Sequence, residues 1–270
     1  MKRFLLVLLA LPAAAFAAPM RETLLETSLG DSVTQAAVLS LAGPAPTYLA
    51  VLLPGSPSVL RPVLANDEWS GGRLMGNFLI RSRKWLVDED LAVLSVDCRS
   101  DSGDECRELY QASQQRFIDV KSVIELAKSN LPSIRQVWLV GTSMGTISST
   151  YMAKWGGAYF AGAIHTASIN NGLAYRSMAN PDFAAAGIPQ VFIHHRDDPC
   201  RSTTYDGTRH WSEKFSIPLI TVTGGSGFSG NACQAFSQHG FRGVEREVMA
   251  AIAAIIKSGK VEQSGIAPAN

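Results

Sequence analysis

The sequence carries little charge, and the charge that it has is balanced. Only 17% of its 270 residues are Asp, Glu, Lys or Arg, and the formal net charge is +1. It contains no stripe of Lys and Arg interleaved with aromatic residues, so we expect no nucleic-acid partner. The sequence also has no internal repeat and no low-complexity linker. Its length and composition therefore predict a single globular domain.

Long hydrophobic runs are missing as well, except at the N-terminus. Lys2 and Arg3 precede the apolar run Phe4–Leu11, and Ala15-Phe16-Ala17 supplies the small-x-small pattern at which signal peptidase cleaves. No other run approaches the about 18 apolar residues of a membrane-spanning helix. We therefore expect residues 1–17 to be a cleaved signal peptide. The mature protein would be periplasmic or secreted, with no integral membrane segment.

Cysteine is scarce too, and its spacing is not that of metal ligands. The chain has four cysteines, at Cys98, Cys106, Cys200 and Cys233. There is no C-x-x-C pair and no Cys/His cluster, which argues against a zinc site. An even number of cysteines in an exported protein favours two disulfides, and four cysteines allow three pairings.

Short apolar runs alternate with longer helical stretches from Ser32 onward. The predicted strands are Thr34–Leu41, Thr47–Leu53, Leu91–Val96, Val137–Val140, Tyr159–Ile164, Gln190–Ile193 and Pro218–Val222. The predicted helices include Phe78–Val87, Arg107–Ser129 and Phe241–Ile256. This alternation predicts an α/β fold, with a mostly parallel twisted sheet flanked by helices on both faces. We expect residues 18–270 to form that domain, with a disordered polar tail from about 258 to 270.

One predicted strand leads directly into a serine motif. Residues 137–150 read VWLVGTSMGTISST, an apolar run followed by Gly141, Ser143 and Gly145 and then by small residues that can begin a helix. This is G-x-S-x-G in a strand–turn–helix context. The glycines leave room where a Cβ would collide with the neighbouring strand and helix. The motif alone fits either a nucleophilic serine or a plain tight turn.

A serine hydroxyl becomes a good nucleophile only when a base takes its proton and an acid orients that base. In a parallel sheet, functional groups gather on the loops after the strands. The run IHHRDDP, Ile193–Pro199, follows a late predicted strand, and QHGF, Gln238–Phe241, lies between the last predicted strand and the last helix. These runs supply an acid and a histidine after the serine.

With the order serine, acid, histidine, the chain resembles the α/β-hydrolase family, and in particular exported bacterial serine hydrolases and esterases. The resemblance covers nearly the whole mature chain. It implies Ser143 as the nucleophile, His239 as the general base and Asp198 as the acid, with the neighbouring Asp197 as the alternative acid. The sequence departs from the family pattern at His195, where glycine is usual, so the register of this turn stays open.

The resemblance also implies two backbone donors for the developing oxyanion. One is the N–H of Met144, the residue after the serine. The second comes from the loop Leu53–Ser56, where Pro54 has no N–H to donate. Of Gly55 and Ser56 we choose Ser56, because the family's donor usually follows the glycine. The resemblance implies that the protein needs neither a metal nor an organic cofactor.

The resemblance also favours one cysteine pairing. Cys200 lies two residues after Asp198, and Cys233 lies six residues before His239. A Cys200–Cys233 bridge would therefore hold the acid loop against the histidine loop. The remaining pair, Cys98–Cys106, would be local to one loop, which we expect to form a wall of the substrate site.

Other polar residues near these motifs have structural interpretations. We interpret His194 and His195 as structural, and His165 as a hydrogen-bonded histidine at a strand end. Arg81, Arg83 and Lys84 are expected to form a solvated face of the helix Phe78–Val87.

The resemblance thus implies an exported serine hydrolase that cleaves the ester bond of a small or short acyl substrate through an acyl-enzyme. The connection of residues 167–189 is too short for a large lid. The same triad would serve a peptidase, an amidase or an acyltransferase. A non-catalytic binding protein that keeps the serine turn only as scaffold is a further alternative.

Overall fold

The structure is a computed structural model that describes residues 19–268. The expected signal peptide, residues 1–17, lies outside this range. The strands are β1 Arg21–Gly30, β2 Val33–Leu41, β3 Tyr48–Leu53, β4 Val63–Ala65, β5 Glu68–Gly71, β6 Leu91–Val96, β7 Gln136–Thr142, β8 Gly162–Thr166, β9 Gln190–His195, β10 Leu219–Val222 and β11 Gly265–Ile266. The helices are α1 Phe78–Ser82, α2 Glu108–Gln111, α3 Gln114–Asn130, α4 Gly145–Gly156, α5 Tyr205–Phe215 and α6 Glu245–Ser258.

Nine of the strands form one sheet in the order β1-β2-β6-β3-β7-β8-β9-β10-β11. The strands from β6 to β11 in this order pair in parallel, whereas β1 and β2 are antiparallel at one edge. The predicted mostly parallel α/β sheet is therefore confirmed. Because the carboxyl ends of parallel strands share one edge, the loops after β3, β7 and β9 lie side by side.

Two apolar cores lie on opposite faces of this sheet. Along β7, Trp138 and Val140 belong to one core, while Val137 and Leu139 belong to the other. This follows from the strand's alternation of side chains between its two faces. The first core packs against α6 and the second against α3 and α4, so the sheet is covered by helices on both sides.

The sequence does not indicate the two strands at the ends of the described chain. The β1 sequence RETLLETSLG has mostly exposed positions with only two buried side chains, so it lacks the apolar run that marks an inner strand. The short strand β11 lies in the tail that we expected to be disordered, where Ile266 pairs with Val222 of β10. The strand β1 forms a hairpin with β2, which follows it directly in the chain, whereas β11 depends on pairing with β10, which is distant in sequence.

All three predicted helices have different boundaries in the structure. The predicted helix Phe78–Val87 is α-helical only over Phe78–Ser82 and continues as a 3-10 turn over Arg83–Trp85. The predicted helix Arg107–Ser129 is divided into α2 and α3, because the Ser113 side chain accepts the Arg116 N–H at 3.2 Å and caps a new helix. The last helix begins at Glu245 rather than Phe241, because Phe241 has a left-handed backbone with φ of 58°. Among residues 19–268, no helix is both long enough and apolar enough to cross a membrane.

The expected solvated face of Arg81, Arg83 and Lys84 is wrong for both arginines. Arg83 is buried and forms a two-pronged ion pair with Glu22, with Nε–Oε1 at 2.6 Å and Nη2–Oε2 at 2.9 Å. The Glu22 carboxylate also accepts the Ser40 hydroxyl at 2.7 Å. Lys84 alone is exposed. A basic residue in an amphipathic segment can face the protein when an edge strand supplies its partner, which helical periodicity does not reveal.

We predict that Glu22→Ala lowers the free energy of unfolding by about 3–5 kcal/mol, because it leaves the buried Arg83 charge unpaired. Urea denaturation followed by circular dichroism measures the loss. Glu26→Ala is the matched control, since Glu26 is an exposed glutamate on the same strand, and it should change stability by less than about 0.5 kcal/mol. Equal losses of unfolding free energy in Glu22→Ala and Glu26→Ala would show that the ion pair with Arg83 does not stabilise the fold.

The same ion pair gives stability a pH dependence. Burial raises the pKa of Glu22, but hydrogen bonds from Arg83, Ser40 and the Trp69 N–H outweigh it and lower the pKa. A depressed carboxyl pKa stabilises the fold above the unfolded-state pKa, and this contribution is lost as the pH falls through the folded-state value. The stability difference between wild type and Glu22→Ala should therefore narrow on acidification below about pH 4.3.

Candidate active site

Ser143 occupies the turn between β7 and α4 in a left-handed conformation, with φ of 51°. Its N–H donates to the Thr166 carbonyl of the neighbouring strand at 3.1 Å. Its carbonyl accepts the Thr146 N–H at 2.9 Å and the Thr146 hydroxyl at 2.6 Å. The left-handed conformation is energetically unfavourable for a residue other than glycine. Hydrogen bonds to both the N–H and the carbonyl of Ser143 hold it in this conformation.

The two glycines of the motif are required by the closeness of the surrounding backbone. A Cβ on Gly145 would overlap the Leu53 carbonyl and lie 2.6 Å from the Pro54 oxygen. A Cβ on Gly141 would overlap the Ser149 hydroxyl and lie 2.7 Å from the Gly145 oxygen. The steric reason that the sequence predicts is therefore present in the structure.

His239 and Asp198 lie in contact on two different loops. His239 follows β10 in the short 3-10 helix Gln238–Gly240, and its Nδ1 is 3.0 Å from Asp198 Oδ2. The Asp198 side chain is fully buried, whereas that of Asp197 is 59% exposed and lies 3.8 Å from Arg196. The turn thus directs Asp198, and not Asp197, toward His239.

The Asp198 carboxylate is surrounded by hydrogen-bond donors. Besides His239, Oδ2 accepts the Thr203 hydroxyl at 2.9 Å and His194 Nε2 at 3.2 Å, while Oδ1 accepts the Cys200 N–H at 2.9 Å. Burial raises the pKa of Asp198, but the bonds from His194 and His239 outweigh it and hold this pKa well below the usual range. The group is therefore an anion throughout the physiological pH range.

The buried His194 bonds the Asp198 carboxylate through a defined tautomer. Its Nε2 lies 2.8 Å from the Thr203 carbonyl, which can only accept, so Nε2 carries the proton. Its Nδ1 accepts the Thr208 hydroxyl at 3.0 Å. The sequence indicated only a structural residue at His194 and gave no role to Thr203. Their contact with Asp198 arises from the turn after β9, for which sequence spacing gives no signal.

The other two histidines at strand ends have the structural roles that the sequence indicates. His195 Nε2 bonds the Gly224 carbonyl at 2.9 Å, and its Nδ1 accepts the Asp197 N–H at 3.0 Å, so this ring braces the acid turn where the family usually has glycine. His165 bonds Ser149 and Gln190 through its two ring nitrogens. Burial lowers the pKa of His165 to about 4.

The loop after β3 lies directly against Ser143. A Cβ on Gly55 would be 3.1 Å from Ser143 Cβ. The loop is closed by the Ser58 N–H, which donates to the Gly55 carbonyl at 2.7 Å. Within residues 19–268, neither the Ser56 N–H nor the Met144 N–H donates to another group. Both predicted donors are therefore without a hydrogen-bond acceptor among the described residues.

Arg81 joins the loop before α1 to the histidine loop. Its guanidinium donates to the carbonyls of Gly76 and Gly240, each at 2.7 Å, and to Glu245 Oε1 at 2.9 Å. The expectation of a solvated Arg81 is therefore wrong. The reason is that three acceptors converge on the Arg81 side chain, and two of them, the Gly240 carbonyl and the Glu245 carboxylate, lie 159 and 164 residues away in sequence.

The two disulfides are Cys98–Cys106 and Cys200–Cys233, the pairing that the resemblance favours. Cys200 and Cys233 both line the cleft that contains Ser143 and join the acid loop to the histidine loop. The expectation that the loop 98–106 forms a wall of this cleft is wrong, because none of its residues is among those lining the cleft in the described chain.

The cleft has a volume of about 530 Å³. Its lining includes Ser56, Asn77, Ser143, Tyr175, Phe236 and His239. A larger cavity of about 650 Å³ lies at the opposite end of the sheet, where Gln190 begins β9. Its lining residues include no histidine or acid, so volume does not identify the site here. The connection of residues 167–189 contributes Ile169 and Tyr175 to the cleft and holds two short 3-10 helices and no large lid.

This architecture is the α/β-hydrolase fold. A mostly parallel sheet carries the serine on the sharp turn after a central strand, and the acid and the histidine follow on later loops. The predicted fold is confirmed by solved structures that share it.

Three solved structures illustrate the similarity. Est1E from Butyrivibrio proteoclasticus has a TM-score of 0.57 at 12% identity, covering 87% of this chain and 97% of its own. XC6422 from Xanthomonas campestris, a serine hydrolase without a lid, has a TM-score of 0.54 at 14% identity, covering 89% and 94%. The Pyrococcus furiosus esterase Pf2001 has a TM-score of 0.60 at 10% identity, covering 88% and 92%. No protein-family model and no curated protein matches the sequence.

We predict that replacing both Cys200 and Cys233 by serine lowers the free energy of unfolding by about 3–4 kcal/mol, as expected for a loop of this length. The matched control replaces Cys98 and Cys106, which close a loop of 8 rather than 33 residues, and should cost about 2–3 kcal/mol. Thermal and urea unfolding measure both.

The two disulfide variants should also differ at the cleft. Loss of Cys200–Cys233 frees the acid and histidine loops, so it should slow the reaction of Ser143 with a fluorophosphonate probe. Loss of Cys98–Cys106 should leave that rate near wild type. The opposite order of rates would rule out a positioning role for Cys200–Cys233.

Proposed function

We propose that this protein is an exported serine hydrolase that cleaves an ester bond by way of an acyl-enzyme. The observation that carries the proposal is that Ser143, on its left-handed turn, shares one cleft with His239, whose Nδ1 is 3.0 Å from the buried Asp198 carboxylate. A nucleophile, a base and an orienting acid in this chain order are the parts that acyl transfer needs.

Each group has a role that follows from its chemistry. Ser143 Oγ attacks the ester carbonyl carbon while its proton passes to His239 Nε2, the ring nitrogen not bonded to Asp198. Asp198 fixes the tautomer and stabilises the imidazolium. The N–H groups of Met144 and Ser56 bind the oxyanion. His239 then returns the proton to the departing alkoxide, and a water molecule repeats the sequence to release the acid.

The ester preference rests on the similar structures and on the cleft. One structure of Est1E contains bound ferulic acid, and an S-formylglutathione hydrolase from Staphylococcus aureus shares the fold. A cleft of about 530 Å³ without a large lid suits small or short acyl substrates. Peptidase, amidase and acyltransferase activities use the same groups, so amides, peptides and acceptor alcohols belong in the substrate panel.

Export is part of the proposal. The pattern of residues 1–17 is that of a signal peptide. Two disulfides that leave no free cysteine among residues 19–268 are in keeping with an oxidising compartment. N-terminal sequencing of the protein recovered from the periplasm or medium tests this part, and an intact Met1 would overturn it.

We predict that Ser143→Ala abolishes p-nitrophenyl acetate turnover, with a loss of about 10⁴-fold or more. A fluorophosphonate probe should label the wild type on the peptide that contains Ser143 and should not label the variant. Ser129→Ala, in an exposed position near the end of α3, is the control and should turn over like the wild type. Turnover that survives Ser143→Ala would remove the proposal.

We predict that the two neighbouring aspartates respond differently. Asp198→Asn should lower kcat by about 10⁴-fold, because the amide no longer favours the correct His239 tautomer. Asp197→Asn removes an exposed carboxylate whose nearest cation is 3.8 Å away, so its kcat should stay within about twofold of wild type. If kcat falls only in Asp197→Asn, the acid that orients His239 is Asp197 and not Asp198.

A further inference from the structure

Asn77 lines the cleft, and the oxygen of its side-chain amide already accepts a hydrogen bond. It is the N-cap of α1, and its Oδ1 accepts the Leu79 N–H at 3.1 Å. A capping bond requires an acceptor, so the oxygen must be the engaged end. The amide Nδ2 is therefore the other end. No group within residues 19–268 accepts a hydrogen bond from it.

This free donor stands beside the serine. The point where a Cβ on Gly55 would lie is 3.3 Å from Asn77 Nδ2 and 3.1 Å from Ser143 Cβ. The amide and the serine thus both approach Gly55 closely, and a side chain at residue 55 would stand between them. Ser56, one of the two backbone donors, is the next residue of that loop and lines the cleft with Asn77.

The position of Asn77 is fixed by hydrogen bonds to both its backbone N–H and its backbone carbonyl. Its N–H donates to the Leu74 carbonyl at 2.8 Å, and its own carbonyl accepts the Arg81 N–H at 2.9 Å. The carbonyl of the preceding Gly76 is held by the Arg81 guanidinium at 2.7 Å. A donor held in this way needs little reorganisation when charge develops in front of it.

On the basis of the proposed function, we propose that Asn77 is a further catalytic residue whose Nδ2 donates a hydrogen bond to the oxyanion. When Ser143 Oγ bonds to the carbonyl carbon, its proton passes to His239 and the carbonyl π pair moves to the oxygen. Met144 and Ser56 supply backbone N–H donors to that oxygen, and Asn77 supplies a third donor from a side chain.

The competing interpretation is that Asn77 only caps α1. Serine and asparagine are about equal as N-caps, so Asn77→Ser keeps the cap and removes the amide donor. Asn77→Asp also keeps the cap, and it replaces the donor by a negative charge that would repel an oxyanion. The two variants separate catalysis from helix stability.

We predict that Asn77→Ser lowers kcat for p-nitrophenyl acetate by roughly ten- to a hundredfold, below the effect of losing a main oxyanion donor. KM should stay within about twofold and Tm within about 2 °C of wild type. Affinity for a trifluoromethyl ketone, which mimics the tetrahedral intermediate, should fall by the same factor as kcat/KM. Asn77→Asp should lose more activity than Asn77→Ser.

Ser113→Ala is the matched control, because it removes the N-cap of α3, whose residues are not among those lining the cleft in the described chain. It should lower Tm without lowering kcat. The inference about Asn77 would be overturned if Asn77→Ser kept the wild-type kcat, or if its kcat fell while its affinity for the ketone did not change. Neither result would affect the proposed function. If the wild-type protein and Ser143→Ala turned over p-nitrophenyl acetate equally, the proposed function would be overturned as well.

Discussion

The candidate site depends on one buried charge, the carboxylate of Asp198. Four donors reach it, from His239, Thr203, His194 and the Cys200 N–H. Burying a carboxylate is costly unless each oxygen is hydrogen-bonded, so these partners must be in place for the loop to fold as it does. The bond that orients His239 is thus one member of a set that also shapes the acid turn. In the proposed mechanism, the same set keeps Asp198 ionised while His239 gains and loses a proton.

The loops that meet at the cleft are joined by links of different kinds. Cys200–Cys233 connects the acid loop to the histidine loop covalently, and Arg81 connects the histidine loop to the segment before α1 through backbone carbonyls. The β3 loop is held by steric fit, since a Cβ on Gly145 would overlap the Leu53 carbonyl. Loops are usually the mobile part of a fold. Here their positions relative to the serine are set by a disulfide, an ion-paired arginine and close backbone packing.

Much of the fold was accessible from sequence because parallel strands buried on both faces are continuous apolar runs. The run Leu91–Val96 has the predicted bounds, and the run after Arg135 leads into the predicted serine turn. The edge strand β1 was not accessible, because most of its side chains face solvent. The Arg83–Glu22 pair was missed for a related reason, since the partner lies on that strand.

The sequence by itself determined the fold class, the serine turn and the order of serine, acid and histidine, because each of these depends on residues that are neighbours in the chain. Only the tertiary structure decided that Asp198 and not Asp197 contacts His239, since one residue of difference in a turn reverses which side chain is buried. It also brought Thr203 and His194 against Asp198 and placed Asn77 beside the Gly55 loop. These placements arise where loops meet, and their geometry is set by the packed sheet and not by local spacing.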